Sequence, residues 1–107
     1  MKSSTVDLVV TGDERAAVTA AVDAVRGGQR VLVVLRADNA RVVRRLRRLC
    51  RGANGRLTVM TNGEVVCVDG VDAVEAVVVR RARTGRLCAV NARAFLSRKR
   101  STARAGR

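Results

Sequence analysis

The 107-residue chain has no proline, histidine, tyrosine or tryptophan, and Phe95 is its single aromatic residue. Without histidine there is no Cys-His dyad and no histidine-completed zinc site. Without Tyr or Trp, and with Phe95 inside an apolar run, the chain lacks the ring platform on which single-stranded nucleic acids stack. Cys50, Cys67 and Cys88 are odd in number, and no two form a C-x-x-C pair, which excludes the usual redox-active motif. Each lies in an apolar-periodic stretch, so buried reduced thiols are expected. Uninterrupted apolar runs reach only about five residues, far short of the ~20 that span a bilayer. Met1 to Thr5 has no apolar segment of the signal-peptide kind. A cytoplasmic chain with no membrane partner is the expectation.

Negative charge is also scarce. Nine acidic residues face 22 basic ones, the net charge is +13, and every basic residue except Lys2 and Lys99 is arginine. Such an excess attracts phosphates, on nucleic acid or on a phosphorylated cofactor; it equally describes a plain solvated face. What is abundant is Val, Ala and Leu, in a chain that is 48% apolar. This length predicts one domain of modest stability. A core without rings suits a sheet whose β-branched strands are covered on both faces.

Residues Val6 to Val10 form a mostly apolar run that reads as a buried strand. Gly12 and Asp13 break it. Asp13 suits a helix N-cap, with Glu14 in the first turn favouring the positive end of the helix dipole. From Glu14 to Arg26, the polar residues Arg15, Thr19, Asp23 and Arg26 recur at steps of four, four and three, leaving a helix of Ala and Val buried on most of its circumference. Gly27-Gly28 ends it. Val31 to Leu35 is a second buried strand, completing a βαβ unit with parallel strands. Asp38 or Asn39 can cap a second helix, running to about Arg51. Its apolar stripe is Val42, Leu46, Leu49 and Ala53, widened by Val43 and Cys50, and Arg41, Arg44, Arg45, Arg47, Arg48 and Arg51 cover the rest. The two helices are expected to sandwich the strands between them. Leu57 to Thr61 is a third strand. Glu64 to Asp69, Val74 to Arg81 and Arg86 to Asn91 read as an antiparallel meander, and Ala94 to Ser97 as a short strand returning to the main sheet. Asn62-Gly63 taken locally predicts a hairpin. Residues 1–5 read as a flexible start, 6–97 as the domain and 98–107 as a basic disordered tail.

This order resembles the pyridine-nucleotide-binding domain of FAD-dependent pyridine nucleotide-disulfide oxidoreductases, in the thioredoxin reductase-like branch, over about residues 5 to 97. The resemblance implies an α/β, Rossmann-like three-layer fold: a βαβαβ parallel sheet, a three-stranded antiparallel meander and a returning last strand. The family's glycine-rich turn, Gly-x-Gly-x-x-Ala/Gly, matches Thr11-Gly12-Asp13-Glu14-Arg15-Ala16, with Thr11 at the first glycine and Asp13 at the second. The family's His-Arg-Arg and a further arginine, which grip the 2′-phosphate of NADPH, match Leu35-Arg36-Ala37 and Arg41; Arg36 and Arg41 keep two of the three arginines. The Leu-Thr-Asn turn matches Met60-Thr61-Asn62, and in the family it leads away into the meander rather than into a hairpin.

The implied cofactor is NADP, bound through Thr11, Gly12, Asp13, Glu14, Arg15, Arg36 and Arg41, with FAD supplied only by a partner flavoprotein chain. Independently of the family, an arginine near the end of the second strand suits a 2′-phosphate, and Arg36 follows Gly12 by 24 residues. Against this, a carboxylate at Asp13 faces a pyrophosphate that the helix start would otherwise hold. At ~5 Å and an effective dielectric near 20, such a contact costs about 3 kcal/mol. Weak or lost cofactor binding, and no catalysis by these residues alone, are therefore expected. Two other functions stay open: a non-catalytic assembly module that self-associates, and a basic domain binding nucleic acid through the second helix and the tail.

Overall fold

The computed structural model describes residues 5–12, 14–37, 39–52 and 55–98. Asp13, Asp38, Ala53 and most of the expected tail lie outside the described residues. The element order is β1 (Thr5–Gly12), α1 (Glu14–Arg26), β2 (Val31–Val34), α2 (Ala40–Leu49), β3 (Leu57–Met60), β4 (Gly63–Asp69), β5 (Ala76–Arg81) and β6 (Leu87–Arg98). All six strands belong to one sheet of order β3-β2-β1-β6-β5-β4. β3, β2, β1 and β6 run parallel, and β6-β5-β4 are antiparallel. This is the mixed α/β, Rossmann-like class the sequence implied.

The meander's third run and the returning run are a single strand. The first part of β6 pairs with β5 from Leu87 to Asn91, and its later part pairs with β1 from Asn91 to Arg98. Polar Asn91 and Arg93 break the apolar pattern in the middle, yet both keep extended backbone. Local propensity saw a gap where the ladder simply changes partner.

Alternation divides the core. Val10, Val31, Val33 and Leu35 face a cluster that holds Ala17, Val18, Ala21, Val22 and Val25 of α1 together with Leu46 of α2. Val9, Leu32 and Val34 face the other way, against Val77 and Val79 of β5 and Val90 and Ala92 of β6. Both helices thus lie on one face, and the expected helix-strand-helix sandwich is replaced by helices, parallel strands and meander. A right-handed βαβαβ with strands added in one direction puts both crossovers on the same side. The opposite face is covered because the sheet curls. Gly63, at the start of β4, donates its N–H to the Leu35 carbonyl at 3.0 Å although β4 is the far edge. A Cβ on Gly63 would sit 2.9 Å from Met60 Sδ and 3.3 Å from Val34 Cγ1, so glycine permits this close crossing. Asn62 has φ 55° and the chain leaves β3 for the opposite edge; no hairpin forms at Asn62-Gly63.

The helices follow their patterns. Arg15, Thr19, Asp23 and Arg26 of α1 are exposed, and its alanines bring it close to the sheet. Asn39 caps α2: its side-chain oxygen accepts from the N–H groups of Arg41 (3.1 Å) and Val42 (3.3 Å).

Candidate functional site

The parallel strands end together, and their ends enclose an open cleft of about 750 Å³. Thr11 and Gly12 of β1, Arg36 after β2, Phe95 and Ser97 of β6, and Glu64 to Val68 of β4 line it. The cleft lies where the strand order reverses: from β1 the chain moves out to β2 and β3, and β6 returns on the other side. Ligands of open α/β sheets bind at such points, beyond the carboxyl ends of the strands.

Each wall has a local cause. The Thr11 hydroxyl donates to the Val34 carbonyl at 3.0 Å, tying the end of β1 to the end of β2. Gly12 has φ 122°, a conformation that side-chain-bearing residues rarely adopt, so the one glycine left in the turn sits where the backbone requires it. Phe95 and Ser97 pair with Val9 and Thr11. They are two apart on one strand and so share a face.

The charges are mixed. Arg36 is exposed at the end of β2. Across the cleft, Glu64 accepts a 2.6 Å hydrogen bond from Arg80 Nη2. That bond and the Arg80 charge, with a smaller contribution from Arg36, hold the Glu64 carboxyl below its usual range. Glu14 opens α1, and both its oxygens lie 3.3 Å from the Asn39 side-chain nitrogen, which donates to them. The acid at the helix start is thus bound to the cap of the second helix.

Of the residues singled out in the sequence, the structure brings Thr11, Gly12 and Arg36 into one cleft. Glu14 does not line it and is bonded to Asn39 instead. Arg15 is exposed on α1, and Arg41, exposed in the first turn of α2, does not line the cleft. Asp13 lies outside the described residues. Sequence reasoning missed Glu64, Phe95 and Ser97, because no local pattern tells which strand will flank β1 or that β4 curls back to it.

The cysteines correct an expectation. All three are free thiols, but only Cys50 is buried. Burial raises its pKa, partly offset by the Arg26 charge. Cys67 and Cys88 are exposed, because an apolar run at a poorly covered part of a sheet leaves residues in solvent. The Cys67 thiol donates to Asp69 Oδ1 at 3.1 Å, which holds its pKa up. No group of three metal-ligating side chains occurs among the described residues. No helix among them is long and apolar enough to cross a membrane.

These features define a class: a Rossmann-like α/β unit, the fold found as part of thioredoxin reductases and other FAD-dependent oxidoreductases. The thioredoxin reductase of Lactococcus lactis superposes with a TM-score of 0.72 at 17% identity, over 92% of this chain and 32% of that one. The enzyme from Giardia duodenalis gives 0.69 at 18% identity, again over 92% and 32%. That from Streptococcus pyogenes gives 0.64 at 22%, over 90% and 32%. The chain spans about a third of the length of these relatives, and the likeness is one of fold. No family model and no curated protein matches the sequence.

Proposed function

We propose that this domain binds the adenosine 2′-phosphate end of NADPH in the cleft at the ends of β1, β2 and β6, as the nucleotide-binding part of a flavin-dependent oxidoreductase. The reading is carried by one observation: Gly12 and Arg36 meet in a single cleft at the switch point. Arg36 suits the 2′-phosphate, because a guanidinium offers paired donors to phosphate oxygens. Gly12 has no side chain to hold a pyrophosphate away from the backbone. Arg41 adds positive potential from α2, and Arg15 from α1. Phe95 offers an apolar wall.

The pyrophosphate end fits less well. Thr11 engages the Val34 carbonyl, and the carboxylates of Glu14 and, by sequence, Asp13 follow. Each carboxylate within ~5 Å of a phosphate costs about 3 kcal/mol, so affinity is weak. NADPH supplies a hydride when bound; the flavin to receive it belongs to a partner chain or domain. The described residues bind and orient, and none serves as a catalytic group.

Calorimetric titration with NADPH and NADH tests this. NADPH is expected to bind about tenfold more tightly than NADH, a single phosphate-arginine contact being worth roughly 1.4 kcal/mol. Arg36→Ala removes the difference, and Asp13→Gly strengthens both. Absence of heat from either nucleotide at millimolar concentration, in wild type and in Asp13→Gly alike, overturns the reading.

A further inference from the structure

The densest charge on the molecule lies away from the cleft. Arg41, Arg44, Arg45, Arg47 and Arg48 of α2, and Arg51 just after it, are all exposed. At about 100° per residue they fill an arc of about 160°, and Val42, Val43, Leu46, Leu49 and Cys50 fill the opposite one. The apolar arc is already packed against the sheet and α1. No ion pair joins any of the six arginines to a carboxylate among the described residues. The first turn of α2 has no acidic residue to oppose its dipole. Arg41–Arg45 and Arg44–Arg48 are like-charged neighbours at i and i+4 of the helix, an arrangement that destabilises it. Arg26, at the end of α1, is close enough to act on the Cys50 thiol, and so extends the basic surface across the helix ends.

A folded surface that repels itself, with only the Glu14 carboxylate near its N-terminal end and no ion pair of its own among the described residues, is suited to an external polyanion. From these observations we infer that the arginine face of α2 binds double-helical nucleic acid through its phosphates, without reading sequence. Arg41 to Arg48 span about 10 Å of helix axis, alongside which a duplex presents about six phosphates. A single-stranded partner is disfavoured because no ring lies on this face to stack a base. A membrane surface is disfavoured because the apolar side of α2 is occupied by the core and has nothing to insert. The surface shares no residue with the cleft lining, and Arg44, Arg47 and Arg48 have no part in the proposed nucleotide site, so a variant at these three tests the inference apart from nucleotide binding.

Fluorescence anisotropy with a labelled duplex of about 20 base pairs, as DNA and as RNA, tests it across salt. With three to four phosphates engaged, log K is expected to fall with log salt at a slope of about −3. The variant R44A/R47A/R48A should lose at least tenfold at about 50 mM salt and flatten the slope by about 2. R83A/R86A/R93A, which removes the same charge from other exposed positions, should lose less than threefold. Circular dichroism confirms that both variants fold, and alanine favours a helix. Preference for DNA or RNA identifies the source of the duplex. Equal losses in the two variants, no binding at about 50 mM salt, or tighter binding to phosphatidylserine vesicles than to either duplex overturns the inference.

Discussion

Glu64 shows how one side chain joins stability to ligand choice. It sits across the cleft from Arg36 and is held by Arg80 at 2.6 Å. Hydrogen bonding and charge from Arg80 depress its folded pKa. A depressed carboxyl stabilises the fold above the ordinary glutamate range and loses that effect as pH falls through the lowered value. Glu64→Gln is therefore expected to lower the melting temperature at pH ~7, with the difference from wild type shrinking as pH falls below the ordinary glutamate range. The same carboxylate also offsets the field of Arg36. Glu64→Gln is expected to strengthen NADPH binding, on the order of twofold to fivefold in a screened, exposed site, and to leave NADH less affected. A variant that weakens NADPH would mean that Glu64 helps to hold the nucleotide rather than opposing it.

Helix α2 depends on its first residues more than α1 does. It is ten residues long, crowded with like charge and anchored by one fully buried side chain, Leu46. Asn39 both caps its N-terminus and donates to Glu14 at the start of α1. Asn39→Ala is expected to cost about 1 kcal/mol, which in a domain of this size lowers the melting temperature by roughly 4–8 °C. Thermal circular dichroism reads it, and an unchanged transition would show that packing of Leu46 alone sets the helix start. Such local rules were legible beforehand. The polar steps Arg15, Thr19, Asp23 and Arg26 marked the exposed stripe of α1, and Asn39 was one of two candidate caps. The Gly12 turn and Arg36 pointed to the cleft. What local pattern left open was set by partners distant in sequence: Asn62-Gly63 reads as a hairpin until β4 is seen at the far edge, and Cys67 reads as core until that edge proves uncovered. Glu64 entered the site through the same curl of the sheet.

For the molecule as a whole, the fold and the charge pull against each other. The described core is valine, alanine and leucine with one buried cysteine, and it has no buried polar or charged residue to add specific attraction. The chain as a whole carries +13, and the structure has a radius of gyration of 13.6 Å. At about 0.01 M salt the screening length is ~30 Å, so every arginine feels most of the others; at 0.15 M it is ~8 Å, and only neighbours interact. Surface ion pairing offsets little, since an exposed pair such as Arg80–Glu64 is screened by solvent and salt. Repulsion therefore dominates the electrostatics of the folded state, and salt should relieve it. The melting temperature is expected to rise by several degrees between about 10 and 150 mM sodium chloride. R44A/R47A/R48A should start higher at low salt and gain less, because it removes the most crowded part of the field. A wild-type melting temperature that falls with salt would show net attraction among these charges. The arginine face of α2 would then be a self-contained stabilising network, with no unmet demand for an outside polyanion.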